Sequence, residues 1–420
     1  MRRVLETLVG FAALTGIVIG ITTLTPAELP RVTTVEATRS TKVVCVPAAS
    51  GATVMVDNVT AVTPLGGSAT EATRTVLTGQ EVSVVAEGTE VPMGGTITGS
   101  GAVRTLTQCV KPVSQGVIAL PATADTQLKI VNPDASEAAI DLTLYGAEGE
   151  IQSLGARGIT LGAYQERTIA LSVLTDKATP VGVSFQASRG RAAVMAVTQT
   201  QNSGTAAGPS QLGTSHLLPG VPAGAASSVV VLANPSETRL TANLMAFGTT
   251  PAYQPQGGGN ISVPPHSSVS VSLENALLGE ASAIEVSSDA PVMAGMAFTL
   301  GDSAQVAPVS AGTSLGTFTA PGGKLQLTNP GKADVQATVT ATGSAGAEET
   351  ATVTVGAGQT VVHELPATTE QGQRVVASSD QPLFGAVVSA GDAGSWVAPL
   401  EVMTEQKTPP LEAELDPRLH

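Results

Sequence analysis

Aromatic residues are scarce in this chain of 420 residues, which contains six Phe, three Tyr and one Trp. Large aromatic side chains usually dominate the energetics of a protein core, so smaller aliphatic residues must fill the core here. The same scarcity argues against platforms that stack sugars or single-stranded nucleic acid, because such platforms are built from aromatic side chains.

Basic residues are also in the minority, with 20 Lys and Arg against 34 Asp and Glu and a formal net charge of −14. Binding to nucleic acid requires clustered Lys and Arg, so we predict no nucleic-acid partner. The acidic residues are spread along the chain, which is typical of a solvated surface.

Cysteine occurs only twice, as Cys45 and Cys109. In an exported chain the simplest interpretation of an isolated pair is one disulfide, which would stabilise the fold by closing a long loop. A metal or redox pair is the alternative, but it needs neighbouring His or carboxylate ligands or a Cys-x-x-Cys spacing. We therefore predict a disulfide, no metal site and no cofactor.

An apolar stretch from Leu8 to Leu24 follows Arg2 and Arg3 near the N-terminus. With the residues just before it, the stretch reaches the length of about 20 residues that a transmembrane helix needs. The cleavage context after Leu24 is weak, which favours an uncleaved anchor over a cleaved signal peptide, the alternative. The arginines predict a cytoplasmic N-terminus with the bulk of the chain outside the cell membrane.

Small residues recur every four positions in this stretch, at Ala12, Gly16 and Gly20. Such a row lets transmembrane helices approach closely, so it is a candidate contact with a membrane-embedded partner. The alternative is that Gly and Ala are simply common in such helices.

An Asn-Pro pair ends a strand-like run three times, at Asn132, Asn234 and Asn329. Proline cannot continue a central strand and restricts the residue before it, so each strand is predicted to end there. The copies lie roughly 100 residues apart, a length typical of a small β domain and too long for a solenoid unit. The region upstream looks like a diverged fourth copy, with Asn58 corresponding to Asn132.

The last part of each copy is predicted to be a β-hairpin. Its turn contains Ser-Asp-x-Pro in two copies, at Ser288–Pro291 and Ser379–Pro382. The other recognisable copy replaces this turn with Ser-Arg-Gly-Arg, which places Arg189 and Arg191 at a basic tip. An exposed Arg pair could bind a carboxylate or phosphate group of a partner. The alternative is a solvated turn.

These patterns predict an all-β chain of tandem immunoglobulin-like antiparallel β-sandwich domains after one N-terminal transmembrane helix. A β-propeller, with two blades per repeat, is the alternative. The predicted divisions are an anchor at 1–24, a stalk at 25–40, a diverged disulfide-linked sandwich at 41–113, three sandwich repeats at 114–213, 214–313 and 314–402, and a disordered tail at 403–420.

No set of residues predicts catalysis. The run Gly301-Asp302-Ser303 resembles the nucleophile block of lipase-like esterases, which would make Ser303 a nucleophile. Those enzymes also need a later Asp-x-x-His, and the spacing near the C-terminus is wrong for it. A turn between strands is the better interpretation, and we predict that the protein is not an enzyme.

The repeat run, with Asn-Pro, Val-Pro-Pro-x-Ser and Ser-Ser-Asp-x-Pro-Val in order, resembles a family of uncharacterised actinobacterial envelope proteins. The resemblance covers roughly residues 1–402 and extends to the N-terminal anchor. Members are often encoded beside a large membrane glycosyltransferase, which implies an accessory role in cell-wall glycan assembly. We therefore expect a non-catalytic, membrane-anchored scaffold or accessory protein of the cell envelope, with that glycosyltransferase as candidate partner. The alternative is a secreted module that binds cell-wall glycan.

Overall fold

A computed structural model describes residues 41–88, 92–100, 103–121, 125–175, 180–199, 204–343, 346–366, 372–391 and 394–403. The predicted anchor with its row of small residues, the stalk and the tail beyond residue 403 lie outside these ranges. Within them, no helix is both long enough and apolar enough to cross a membrane.

The described chain is almost entirely β, and its strands fall into four consecutive modules. Module 1 holds β1 (Thr41–Cys45), β2 (Ala52–Asp57), β3 (Ala61–Pro64), β4 (Thr70–Glu71), β5 (Arg74–Gln80), β6 (Val84–Gly88), β7 (Met93–Ser100) and β8 (Val103–Gln108). Module 2 holds β9 (Gln115–Leu120), β10 (Thr126–Val131), β11 (Ala138–Gly146), β12 (Gly149–Ile151), β13 (Ile159–Leu161), β14 (Glu166–Ala170), the short helix α1 (Leu171–Leu174), β15 (Val181–Arg189), β16 (Ala193–Gln199) and β17 (Gly204–Ala207).

The other two modules follow the same plan. Module 3 holds β18 (Gly213–Val221), β19 (Ser227–Asn234), β20 (Leu240–Phe247), β21 (Ile261–Val263), β22 (Ser267–Ser272), β23 (Ser282–Leu300) and β24 (Asp302–Val306). Module 4 holds β25 (Gly312–Thr319), β26 (Lys324–Thr328), β27 (Val335–Gly343), β28 (Glu348–Val355), β29 (Thr360–Glu364), β30 (Gln373–Ser389), β31 (Trp396–Pro399) and β32 (Glu401–Val402). The predicted divisions at 213/214 and 313/314 fall inside β18 and β25.

Each module is built from two sheets, each with four strands in one common order, and β13 and β32 are added at β11 and β25. The first sheet is β1-β6-β3-β4 in module 1 and β9-β15-β11-β12 in module 2. The second sheet is β5-β2-β7-β8 in module 1 and β14-β10-β16-β17 in module 2, and a parallel contact between β8 and β17 joins these two. Modules 3 and 4 repeat both orders, with β23 and β30 each contributing to two sheets.

This strand order confirms an all-β chain with sandwich-like sheets, but not the immunoglobulin-like prediction. An immunoglobulin sandwich keeps strands B and E in one sheet and strands C, F and G in the other. Here β19 and β22 correspond to strands B and E and lie in one sheet. The first half of β23 pairs with β20 in the other sheet, whereas its second half pairs with β19. The second half of β23 and β24 therefore join the sheet of β19 and β22.

The predicted hairpins are wrong in their pairing. Residues up to Ser288 pair with β20 in one sheet, whereas residues from Met293 onward pair with β19 in the other. The chain does reverse at Ser-Asp-x-Pro, but its two halves lie in different sheets. Pro291 falls at this change of sheet, where its missing N–H interrupts no ladder. The Ser288 hydroxyl donates to the Ala290 carbonyl at 2.7 Å and steadies the corner.

Hydrophobic clusters also join neighbouring modules. The first sheet of each module packs on the second sheet of the next, for example through Val44 and Met195 between modules 1 and 2. Phe247 and Phe384 meet edge to face between modules 3 and 4, with ring centroids 6.1 Å apart. The eight sheets therefore stack face to face in sequence order.

Module 4 packs on module 1 and closes the stack. Phe318 of β25 shares one buried cluster with Met55 of β2, and the Gln108 amide donates to the Phe318 carbonyl at 3.0 Å. A guanidinium nitrogen of Arg374 lies 3.2 Å from the Asp57 carboxylate across the same interface. We call this closed arrangement the ring. It stacks sheets around a centre as a propeller does, although the strands within one sheet are not consecutive in the chain.

Both ends of the described chain lie at one end of the ring. Thr41 pairs with Gly88 at the end of β6, and the Met403 N–H donates to the Ser314 carbonyl near the start of β25. In module 4 the first strand, β25, begins beside the corner of the long strand β30, because Ser314 pairs with Ser378. In module 3 the Asn-Pro turn connects β19 and β20, which pair with β23 on either side of its corner. The Asn-Pro turns therefore lie on the same side of the ring as the corners, and we call this side the Asn-Pro end.

Replacing Gly295 by Ala should destabilise the interface between modules 2 and 3. A Cβ at Gly295 would collide with the backbone carbonyl of Ala119, which cannot move without shifting β9. Overpacking of this kind costs about 1–3 kcal/mol. Urea unfolding of Gly295→Ala measures the loss, and Gly391→Ala is the matched control because a Cβ there meets open space. Equal stability of the two variants would contradict the packing described here.

Candidate functional site

The two cysteines form the predicted disulfide, with Cys45 at the end of β1 and Cys109 directly after β8. Both residues are buried, and the bond joins the two sheets of module 1. A structural disulfide is typical of proteins outside the reducing cytoplasm, so it indicates an extracytoplasmic or secreted protein.

The Asn of each Asn-Pro pair does more than end a strand. The Asn234 side-chain amide donates to the carbonyls of Thr238, Val263 and Pro264 at 2.7, 3.2 and 3.1 Å, and its oxygen accepts the Ser236 N–H at 2.9 Å. Asn132 and Asn329 make corresponding bonds, and all three are buried. Each Asn therefore ties its own turn to a neighbouring strand of the module.

The diverged copy lacks this arrangement at the position matched by sequence. Asn58 has a left-handed φ of 57°, and its backbone N–H donates to the Asp57 carboxylate at 2.9 Å. No proline follows it, so its turn differs from the other three. The predicted correspondence of Asn58 with Asn132 therefore holds for chain position but not for side-chain role.

Arg189 and Arg191 both face carboxylates of their own module. Arg191 binds Asp134 through two nitrogens, at 2.7 and 3.2 Å, and Arg189 lies 3.1 Å from Glu137 on the exposed surface. Lys42 of module 1 also lies 3.4 Å from Asp134. Arg191 thus belongs to a charge cluster that links modules 1 and 2, while the predicted role of the two arginines as a partner contact stays a prediction.

Acid should weaken this cluster. Hydrogen bonds from Arg191 lower the pKa of the Asp134 carboxyl, against the opposing effect of partial burial. Because the folded-state pKa lies below the unfolded value, the stabilisation is complete above about pH 4 and is lost as pH falls through the folded value. The wild type should lose up to about 1 kcal/mol more than Asp134→Asn between about pH 5 and pH 2.

Urea unfolding at both pH values measures this difference. Asp380→Asn is the matched control, because Asp380 is an exposed carboxyl. An identical pH dependence in the wild type and in Asp134→Asn would contradict the assigned role of the cluster.

A cavity of about 440 Å³ lies where the four modules meet. The innermost strands β8, β17, β24 and β31 contact one another in a cycle around it. Each module lines the cavity with residues at or just after the end of its innermost strand, around a proline that recurs in all four copies. Pro209, Pro308 and Pro399 line it directly, and in module 1 the flanking Lys111 and Val113 do so. The cavity is a natural site because every module contributes to it.

The cavity walls are alike between copies, but the polar groups differ. Two positions after the proline, the lining residue is Gln211 in module 2, Ser310 in module 3 and Glu401 in module 4. Module 1 contributes Lys111, one position before its proline. A repeated scaffold thus carries four different polar side chains at its centre, which makes this cavity the candidate functional site.

Glu401 is an exposed residue that lines the cavity. Desolvation raises the pKa of the Glu401 carboxyl above its usual value, and the positive charge of Lys111 opposes that rise. The sequence indicates the recurring strands QVAPV and WVAPL, but it carries no signal that they converge on one centre.

Comparison with known proteins identifies a family. The profile of a "Family of unknown function (DUF5719)" matches residues 66–366, from within module 1 to within module 4. The chain belongs to this family. Membership of an uncharacterised family is therefore confirmed, and the DUF5719 match includes all of modules 2 and 3.

Other comparisons add little to the DUF5719 assignment. No curated protein matches the chain. Among solved structures, "Crystal structure of tetra-tandem repeat in extending region of large adhesion protein" is 14% identical and covers 85% of this chain and 93% of that chain, with a TM-score of 0.10. A score of that size supports no argument about fold or function.

Proposed function

We propose that this DUF5719 protein is a non-catalytic scaffold or accessory protein of the cell envelope, held outside the cytoplasmic membrane. The observation that carries the proposal is the closed ring, in which four copies form one body and all four line one cavity. Such a body is suited to presenting a fixed surface to a partner. The buried disulfide supports a location outside the cytoplasm.

The Asn-Pro end of the ring is the candidate contact surface for a membrane partner. The described chain begins at the Asn-Pro end, where Thr41 pairs with Gly88. The cavity-lining segments follow the innermost strands and lie at the same end, since Val306 pairs with Met296 near the corner of β23. We propose that the Asn-Pro end contacts a membrane protein, with an envelope glycosyltransferase as the candidate.

Site-specific photo-crosslinking in native membranes tests this proposal. A crosslinker at Glu237, an exposed residue beside an Asn-Pro pair, should capture an integral membrane protein that mass spectrometry identifies. The matched control is a crosslinker at Leu278, which is 65% exposed at the opposite end of module 3. Recovery of uncrosslinked monomer from both positions, or equal capture at both, would contradict the proposal.

A secreted module that binds cell-wall glycan is the second candidate. The amide of Gln211 and the hydroxyl of Ser310, both in the cavity lining, could hydrogen-bond sugar hydroxyls. Retention of the protein on purified cell wall, reduced by Gln211→Ala, would favour this candidate. Absence of retention would reject it.

A further inference from the structure

Two opposite charges face the central cavity without meeting. Lys111 comes from module 1 and Glu401 from module 4, and both line the cavity. Desolvation raises the pKa of the Glu401 carboxyl, and the positive charge of Lys111 opposes that rise. Among the residues that the structure describes, neither head group forms a hydrogen bond or an ion pair. By contrast, Lys324 lies 2.6 Å from a carboxylate.

Apolar and polar surfaces both line the cavity around these two charges, in nearly equal parts. Leu106, Met195, Val309 and Val397 line the cavity together with the prolines. Its volume of about 440 Å³ falls in the range of roughly 300–1,000 Å³ that is typical of small-molecule sites. Lys111 and Glu401 are both exposed residues, so a ligand can reach both head groups from solvent. The cavity therefore combines apolar wall segments with one cationic and one anionic side chain.

We propose that the central cavity binds a short zwitterionic peptide with apolar side chains. Its ammonium group lies on the Glu401 carboxylate, its carboxylate lies on the Lys111 ammonium, and its side chains contact the aliphatic walls. Each interaction is a charge-assisted hydrogen bond, the stronger class of hydrogen bond in proteins. The inference rests on the ring and its cavity and does not depend on the proposed membrane partner.

Other ligand classes fit the two charges less well. A simple anion would satisfy Lys111 and leave the Glu401 carboxylate repelled, and a simple amine would do the reverse. A neutral sugar could hydrogen-bond to both groups but would neutralise neither charge, and the described lining includes no aromatic ring for it to stack on. Only a ligand that carries both charges neutralises both anchors.

Calorimetric titration of the purified full-length protein with the dipeptide Leu-Leu tests the proposal. The wild type should bind Leu-Leu at least about tenfold more tightly than N-acetyl-Leu-Leu or Leu-Leu-amide, each of which lacks one charge. Glu401→Gln should weaken Leu-Leu binding about tenfold or more but should not weaken binding of the anionic N-acetyl-Leu-Leu. Lys111→Met should weaken Leu-Leu binding similarly but should not weaken binding of the cationic Leu-Leu-amide.

Matched controls come from exposed charges outside the cavity. Lys332→Met and Glu237→Gln should bind Leu-Leu as the wild type does. The comparison of free and blocked peptides uses the wild type, so it remains decisive even if a cavity variant fails to fold. Equal affinity for free and blocked peptides, no binding of Leu-Leu, or binding of maltose in preference to Leu-Leu would overturn the proposal. None of these outcomes bears on the crosslinking result.

Discussion

Replacing Asn234 by Asp should lower the free energy of unfolding by about 3–5 kcal/mol at pH 7, because a carboxylate oxygen would replace an amide that donates to three carbonyls. Those carbonyls belong to Thr238, Val263 and Pro264, and the Asn234 side chain is fully buried. The substitution leaves the size and shape of the side chain nearly unchanged, so the loss of stability reports the missing N–H donor group. Urea unfolding measures the change.

The control for this experiment is Asn275→Asp, since Asn275 is exposed and already has a left-handed φ of 60°. It should change stability by less than about 0.5 kcal/mol. At acid pH the loss of stability caused by Asn234→Asp should be smaller, because the introduced carboxyl keeps its proton to a higher pH in the folded state than in the unfolded state. Similar losses in the two variants would show that the buried amide is not a structural tie.

Removing the disulfide by Cys45→Ala together with Cys109→Ala should cost about 4 kcal/mol in the chain-entropy account. The bond spans 64 residues and links the two sheets of module 1. The hydrophobic cluster inside module 1 consists chiefly of valines and the two cysteines themselves, so this module depends on the bond more than a module with a larger core would.

Urea unfolding with and without a thiol reductant separates the bond from the substitutions. Reductant should lower the stability of the wild type by a similar amount and leave the double variant unchanged. A fully reduced wild type with undiminished stability would contradict the assigned role of the disulfide.

Local patterns in the sequence predict much of the fold. Asn-Pro stops a strand wherever it occurs, so its recurrence at Asn132, Asn234 and Asn329 predicts repeated β modules. Alternating residues predict the strands themselves. The turn at Ser288–Pro291 also predicts a chain reversal, but turn chemistry cannot tell which strands the two halves join. The hairpin prediction therefore gave the right reversal with the wrong pairing.

Long-range features carry no local signal in the sequence. Closure of the ring depends on contacts such as Phe318 with Met55, which join residues far apart in the chain. The buried role of Asn234 was not predicted, because an Asn before Pro looks the same whether its amide faces solvent or three carbonyls. The cavity also depends on closure of the ring, since Lys111 and Glu401 share a site only when module 4 meets module 1.

The closed ring is the central claim, and small-angle X-ray scattering of the fragment 40–420 tests it most directly. The described residues of this fragment form one compact unit. A compact body of its length should have a radius of gyration of about 21 Å. Four modules in an open string, each of the compact size expected for its length, would give roughly 40 Å. A value near the smaller figure is predicted, and a value near the larger one would contradict the contact between modules 4 and 1.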